Sequence, residues 1–221
     1  MSNVKVDFKN NQCAFCNSSN ITLITDFGNM GLAGGFLAQD ELEQESRYPM
    51  NLGFCPDCYA VQIVDKINPD LMFKKNYFYF SSSIGTLRNH FKNYAEDVVS
   101  RFLPSPQDAT VIEFGCNDGV LLSPLADLNV GRIIGVDPAT NVVGKIDDNR
   151  VDIVNSYFDE LCASDIVDQF GKADLILANN VFAHVDDINA LTKAIDIALD
   201  ENGAFIFEVH YLGKIKQLFL S

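Results

Sequence analysis

The sequence predicts an α/β protein with a parallel sheet covered by helices on both faces, preceded by a small metal-binding module. From residue 109 onward, short strands of buried type alternate with helical stretches, an order typical of parallel sheets. Ahead of that region stand two Cys-x-x-Cys pairs, Cys13 with Cys16 and Cys55 with Cys58, in a stretch whose apolar runs are all short.

The composition restricts the class of partner. A chain of 221 residues with 48% hydrophobic content can bury a sizeable core in one or two domains. The net charge of −14 and the lack of a basic run argue against nucleic acid, since phosphate-backbone binding uses clustered Lys and Arg. We find no secretory h-region and no apolar run approaching the roughly 20 residues of a membrane helix. We therefore expect no membrane span and a cytoplasmic location, where Cys-x-x-Cys indicates metal or redox chemistry.

The four paired cysteines predict one structural zinc site. Four thiolates fill a tetrahedral Zn²⁺ shell and leave no position open for water. The expected ligands are Cys13, Cys16, Cys55 and Cys58. The alternative is a redox dithiol or unconnected thiols. A zinc-binding domain over residues 1–66 would have too little core to fold without such a cross-link.

The remaining residues divide into a connector, 67–104, and an α/β domain, 105–221. The connector contains an aromatic cluster and a helix with an apolar face from Leu87 to Phe102, ended by Pro104. Asp159 and Asp187 suit helix N-caps, and Gly171 and Gly203 suit helix exits. The predicted strands are 110–114, 132–136, 151–155, 174–178 and 204–209, and the predicted helices are 120–128, 139–146, 160–170 and 188–199.

A turn over residues 113–119 follows the first of these strands. Gly115 permits a sharp turn and close approach of a ligand, and Asn117 tolerates left-handed backbone geometry. Gly119 lets the next helix begin close to the sheet. The turn resembles the E/D-x-G-x-G-x-G turn of S-adenosylmethionine-dependent methyltransferases, with Asn in place of the middle Gly. Asp137, at the end of the second strand, is placed to accept both ribose hydroxyls. The alternative is a purely structural turn with an exposed Asp.

Two histidines fall at the edge of the sheet where ligands of open parallel sheets bind. His184 lies just past the fourth strand, and His210 lies at the end of the fifth. Imidazoles there can accept a proton near neutral pH. Glu208 shares a strand face with His210 and can orient or stabilise bound groups. The alternative for His184 is a turn cap, and His90 is expected to be a partly exposed bystander.

Taken together, the chain resembles the zinc-containing C-methyltransferases of nucleotide-linked deoxysugars, over nearly its whole length. The resemblance implies a class I S-adenosylmethionine methyltransferase (Rossmann-like) fold behind an N-terminal zinc-binding domain. It also implies methyl transfer to a sugar carbon next to a ketone, through an enolate formed by a base. The motifs that carry it are Gly31 to Leu37, Tyr48 to Cys58, Tyr77 to Ser83, Glu113 to Gly119, Asn180 to His184 and Phe207 to His210.

The resemblance assigns roles to individual residues. His210 is the expected base, and His184 and Glu208 lie near the keto and enolate oxygens. Tyr77 and Tyr79 close over the sugar. The expected cofactor-binding residues are Glu113, Gly115, Asn117, Gly119, Asp137 and Asn180.

Family members continue beyond the last residue of this sequence, adding sheet strands and a C-terminal domain that helps to hold the sugar nucleotide. We therefore expect a truncated or split member, with a homodimer or a separate C-terminal half as possible partners. Two alternatives stay open: an S-adenosylmethionine-dependent O- or N-methyltransferase of another small molecule, and a non-catalytic zinc- and cofactor-binding fragment that needs a C-terminal partner.

Overall fold

The computed structural model describes residues 12–33, 37–74 and 77–213, which form two compact units. Unit 1 contains the residues up to 78 together with 186–189, and unit 2 contains 79–185 and the residues from 190 onward. The N-terminal segment expected to lack a signal sequence and residues 34–36 of the Gly-rich run lie outside the described residues. Within the described ranges, no helix is long and apolar enough to cross a bilayer.

Unit 1 is built on a three-stranded antiparallel sheet in the order β1-β2-β3. Its elements are β1 (Thr22–Gly31), β2 (Arg47–Phe54), β3 (Val61–Ile63) and the short helix α1 (Pro69–Phe73). The sequence predicted a loop-rich module instead, because β1 is almost entirely exposed and carries no apolar alternation. In the described part of unit 1, the buried hydrophobic side chains are Cys13, Cys55 and Val64. This unit therefore depends on its cysteines for a core.

Unit 2 contains the predicted parallel sheet, which is confirmed. Its strands are β4 (Thr110–Phe114), β5 (Arg132–Val136), β6 (Asp152–Val154), β7 (Ala173–Asn179) and β8 (Leu199–Glu208). All four neighbouring pairs are parallel, in the order β6-β5-β4-β7-β8. The chain order reverses between β4 and β7, and ligands of such sheets bind beyond the strand ends at that point.

The helices lie close to their predicted positions, as α2 (Gly85–Phe102), α3 (Leu122–Asp127), α4 (Thr140–Val143), α5 (Glu160–Phe170) and α6 (Ile188–Ala198). Asp159 caps α5 as predicted, accepting a hydrogen bond from the Cys162 amide at 2.9 Å. Gly171 ends α5 with a φ of 84°, a conformation that favours glycine. The prediction for Gly203 is wrong. It lies inside β8, because α6 ends at Ala198 and the strand begins at the next residue.

Helix α2 packs on one face of the sheet, and this positions the candidate site. Its buried residues Phe91, Ala95 and Val98 share a core with alternate strand residues, namely Val111, Ile133, Leu175 and Leu177. Side chains of a strand alternate between faces with a period of two. The same alternation puts Glu113, Asn179 and Glu208, at the carboxyl ends of three strands, on the face that α2 covers.

Candidate functional site

The four predicted zinc ligands come together in unit 1. All four Sγ atoms lie within 4.8 Å of one another, with Cys13 to Cys58 at 3.5 Å and Cys16 to Cys55 at 3.6 Å. A tetrahedral zinc with Zn–S bonds of about 2.3 Å requires Sγ separations of about 3.8 Å. The arrangement therefore fits Zn²⁺.

Both Cys-x-x-Cys turns adopt the same backbone geometry. The residues that follow them, Asn17 and Tyr59, are left-handed, with φ of 58° and 62°. In each turn the amide of that residue donates to the carbonyl of the first cysteine, at 2.9 Å to Cys13 and 2.8 Å to Cys55. Two equivalent turns facing each other form the two halves of one site.

Gln62 supports the cluster, and sequence reasoning missed it. Its Nε2 donates to Cys13 Sγ at 3.1 Å, while its Oε1 accepts from the Ala14 amide at 2.9 Å. Burial opposes ionisation of Cys13, but hydrogen bonds from the backbone of Cys16 and Phe15 and from Gln62 lower the pKa of this thiol to about 6. These hydrogen bonds favour the thiolate of Cys13, the form that binds metal. For Cys58, a backbone hydrogen bond from Ala60 lowers the pKa but is outweighed by burial and by the three neighbouring thiols, which raise it. Only the pairing of β2 with β3 brings Gln62 here, so no local pattern signals it.

In the turn after β4, every second residue has a left-handed backbone. Gly115, Asn117 and Gly119 have φ of 69°, 53° and 77°. A Cβ added at Gly115 would overlap the side chain of Val181, so only glycine fits there. The turn lies at the sheet's switch point, where ligands of open parallel sheets bind.

Asn117 is more than a substitute for glycine. Its Oδ1 accepts from the Ser81 amide and its Nδ2 donates to the Tyr79 carbonyl, both at 2.9 Å. The next residue, Asp118, accepts from the Ser82 hydroxyl at 2.6 Å. The turn therefore anchors the 79–82 segment in unit 2.

Asp137 lies beside this turn and is buried, with 7% of its surface exposed. Its carboxylate accepts from the Asn117 amide at 3.0 Å and the Ala139 amide at 2.8 Å. Burial raises its pKa, and the two amides partly offset that effect. Each carboxylate oxygen has a second lone pair, so the role of Asp137 toward ribose hydroxyls stays a prediction.

A buried polar cluster lies next to the turn. Within the described residues, Glu113 Oε2, Asn179 Oδ1 and Tyr94 Oη have no hydrogen-bond partner, while Asn179 Nδ2 donates to Glu113 Oε1 at 3.4 Å. Burial raises the pKa of Glu113 to about 8; the Asn179 hydrogen bond opposes this and the nearby Asp137 adds to it. Orphaned acceptors are costly, and a cationic ligand group would satisfy them. The turn over residues 113–119 and this polar cluster, together called the cradle, therefore fit S-adenosylmethionine, whose ammonium group supplies such a cation.

The carboxyl ends of β7 and β8 bring together Asn180, Glu208 and His90. Asn180 is left-handed with a φ of 55°, and its Nδ2 donates to Glu208 Oε1 at 3.1 Å. His90 Nε2 lies 2.7 Å from Glu208 Oε2, a contact that the sequence did not predict. The sequence places His90 one helical turn before Tyr94 on α2, but Glu208 is 118 residues away along the chain, so the sequence pattern does not reveal the contact.

His184 and His210 also come close at this edge. Desolvation lowers the pKa of His184, and the proximity of His210 lowers it further. His184 ends a short 3₁₀ turn, while His210 is exposed beyond the end of β8.

The two predicted tyrosines fall in different units. Tyr79, in unit 2, is 45% exposed, and its carbonyl accepts the Asn117 bond described above. Tyr77 belongs to unit 1, where its ring meets Phe73 edge-on at 6.0 Å. Their role toward a sugar stays a prediction.

Zinc removal should unfold unit 1 and spare the parallel sheet. Purified protein is expected to carry one zinc per chain, and a strong chelator should abolish hydrogen-exchange protection in β1 to β3, because the cysteines provide most of the core there. Protection of β4 and β7 should persist. Cys162→Ala, which removes a cysteine outside the cluster, should keep the zinc. Full protection of β1 to β3 in metal-free protein would contradict a structural role for the ion.

Asn117→Gly should lower the free energy of unfolding by about 1–3 kcal/mol, since two hydrogen bonds are lost while the left-handed backbone is kept. Asn117→Ala should cost about 1–2 kcal/mol more, because alanine disfavours that conformation. Urea unfolding measures both, and exchange of the Ser81 amide should accelerate.

The matched control for these variants is Asn129→Gly. Asn129 is also left-handed, with a φ of 60°, but the described residues offer its side chain no hydrogen bond. This change should be nearly neutral. Equal effects at both positions would show that the Asn117 side chain contributes nothing.

Glu113 should make the cofactor-free protein less stable as pH rises. Between its ordinary pKa near 4.5 and about 8, the folded state holds a proton that the unfolded state has released, so stability falls with pH. The slope from this group approaches ~1.4 kcal/mol per pH unit. Urea unfolding from pH 5 to 8.5 measures it, and Glu113→Gln should flatten the curve. An unchanged slope in that variant would contradict the assignment.

Comparison with known proteins matches both units to families. Residues 13–73 match a zinc binding domain family, and residues 87–220 match a methyltransferase domain family. C-methyltransferase NovU of Streptomyces niveus is 29% identical over 202 residues, covering 91% of this chain and 47% of NovU. A ubiquinone biosynthesis O-methyltransferase of Methylobacterium sp. (strain 4-46) is 33% identical over 98 residues, covering 43% of this chain and 39% of that protein. The chain thus spans less than half the length of these relatives.

Solved structures with similar coordinates include an S-adenosylmethionine-dependent methyltransferase from Clostridium acetobutylicum ATCC 824, at 16% identity and a TM-score of 0.47, covering 58% of this chain and 54% of that one. Magnesium protoporphyrin IX methyltransferase from Synechocystis PCC 6803, with bound S-adenosylhomocysteine, has 18% identity and a TM-score of 0.45, with coverage of 60% and 61%. The methyltransferase family match extends over more than half of the chain. The chain belongs to the S-adenosylmethionine-dependent methyltransferase family, with a zinc binding domain ahead of its class I methyltransferase domain.

Proposed function

We propose that the protein transfers a methyl group from S-adenosylmethionine to a carbon next to the ketone of a nucleotide-linked deoxysugar. The observation that carries this proposal is the breadth of the similarity to a C-methyltransferase, which covers 91% of the chain and so includes both units. The similarity to two ubiquinone biosynthesis O-methyltransferases covers only 43% and 44% of the chain. The motifs that resemble deoxysugar C-methyltransferases likewise occur on both sides of the unit boundary.

The cofactor would be held by the turn after β4. Gly115, Asn117 and Gly119 would present backbone atoms to it, and Asp137 and Asn180 would contribute their side chains. Glu113, in its ionised form, would pair with the ammonium group. S-adenosylmethionine would supply there an electrophilic methyl group on a sulfonium sulfur.

The acceptor chemistry needs a base, because the carbon must lose a proton before it can act as a nucleophile. A neighbouring ketone makes that proton acidic. His210, exposed beyond β8, is the proposed base, since an imidazole accepts and later releases a proton near neutral pH. His184, whose pKa is lowered, would stay neutral and donate a hydrogen bond to the keto or enolate oxygen. Glu208 would lie near the same oxygens, and Tyr77 and Tyr79 would contact the sugar.

We further propose that β8 accepts an additional strand. Within the described residues β8 pairs with β7 alone, and an edge strand offers unpaired backbone groups to another chain. A second copy of the chain or a separate C-terminal half would fill this position. Light scattering of the purified protein distinguishes a homodimer from a monomer.

Incubation with methyl-labelled cofactor and a panel of 4-keto sugar nucleotides tests the reaction. We expect label on a sugar carbon, located by NMR of the product, and His210→Ala should lower the rate by about 10²–10⁴-fold without changing cofactor affinity. Tyr211→Phe, at the next and highly exposed residue, is the control and should retain the rate.

O-methylation is the second candidate, favoured by the similarity to ubiquinone O-methyltransferases. A hydroxyl acceptor needs no carbon acid, so His210→Ala should then matter little. Label found on oxygen, or on none of the sugars despite bound cofactor, would overturn carbon methylation.

A further inference from the structure

His90 is held in a defined orientation on α2. Its ring stacks on Tyr94, four residues along the helix, with centroids 6.1 Å apart and an interplanar angle of 21°. Phe91 meets the same ring edge-on at 5.1 Å. A histidine packed against two aromatic rings keeps its plane fixed, so the direction of Nε2 is set by the helix.

That nitrogen points at a carboxylate on the sheet. His90 Nε2 lies 2.7 Å from Glu208 Oε2, and the two side chains remain 44% and 35% exposed. Glu208 is the last residue of β8, on the strand face that α2 covers. The contact therefore joins a helix to the carboxyl edge of the sheet while staying open to an arriving ligand.

The other oxygen of the carboxylate has a donor of its own. Asn180 Nδ2 donates to Glu208 Oε1 at 3.1 Å, and the Asn180 amide donates to the Glu208 carbonyl at 2.8 Å. The backbone of Asn180 is left-handed, with a φ of 55°. Two donors from different elements thus hold one carboxylate, and His90 is the donor supplied by α2.

We propose that His90 is a positioning residue of the acceptor site, which fixes the carboxylate of Glu208 between α2 and Asn180, the residue that follows β7. This inference rests on the proposed function, in which Glu208 faces the reacting keto sugar. When the His90 contact is removed, one carboxylate oxygen is released and the side chain rotates about its remaining bond to Asn180. Small displacements of groups that orient a substrate are costly to rate, whereas His90 is not among the residues proposed to hold the cofactor.

Paired variants separate positioning from a structural role. His90→Leu removes the donor, and His90→Gln keeps an N–H at a comparable reach. We expect His90→Leu to lower kcat/KM for the keto sugar nucleotide by about ten- to hundredfold and His90→Gln to restore most of the loss. The Kd of S-adenosylmethionine should stay within about twofold in both. Asn93→Leu, at an exposed position of the same helix, is the control for a leucine on that surface.

A spectroscopic readout makes the test independent of turnover. The chain has three histidines, so the ¹⁵N ring resonances of labelled protein can be assigned by substitution. Glu208→Gln should move the His90 ring resonances, and addition of the acceptor should move them again in the native protein. A His90 ring unaffected by Glu208→Gln overturns the inference. Native kinetics in His90→Leu, or equal losses in the Leu and Gln variants, do so too.

The two proposals fail in distinguishable ways. No methylation of any keto sugar by the native protein counts against the proposed function, and the ring resonances then decide the His90 assignment by themselves. Carbon methylation that proceeds normally in His90→Leu leaves the proposed function intact and removes His90 from it.

Discussion

The structure of unit 2 depends on the left-handed turn between β4 and α3. At its centre Asn117 satisfies three partners at once: its amide donates to Asp137, and its side chain bonds the backbone of Tyr79 and Ser81. One residue therefore couples the end of β4, the acidic end of β5 and the aromatic-Ser segment. Because both partners of each bond belong to the protein, these bonds help to order the turn, which lowers the ordering cost of binding a ligand.

The sheet face beneath α2 changes in polarity along the strands. Toward the amino ends of the strands this face is apolar, and toward the carboxyl ends it becomes polar at Glu113, Asn179 and Glu208. Helix α2 contributes Tyr94 and His90 to this face, beside its buried residues Phe91 and Ala95. Polar groups that replace apolar packing lower the stability of the fold, and such groups are concentrated at functional sites. The gradient agrees with ligand binding at this end of the sheet.

The sequence was sufficient to predict those parts of the fold that are buried and that depend on residues close together in the chain. Strands β4 and β5 begin and end where predicted, because each is a continuous run of residues buried on both faces. The sheet of unit 1 was missed, since β1 is exposed and its pairing with β2 contains register shifts. Asn117 was recognised for its backbone, but its side-chain bonds required the position of the 79–82 segment. The His90 contact with Glu208 was inaccessible for the same reason, since packing of α2 on β8 creates it.

The negative charge of the protein affects how the cradle would bind a cationic cofactor. The net charge of −14 favours, at long range, a cofactor whose sulfonium and ammonium groups outweigh its single carboxylate. At short range, burial raises the pKa values of both Glu113 and Asp137, so the cofactor-free site holds two carboxyl groups in an unfavourable environment. A cation bound there would favour their ionised forms and supply Glu113 with a missing hydrogen-bond partner. The buried acids thus reduce the stability of the free protein, and in the proposed cofactor site they would increase the affinity for the cationic ligand.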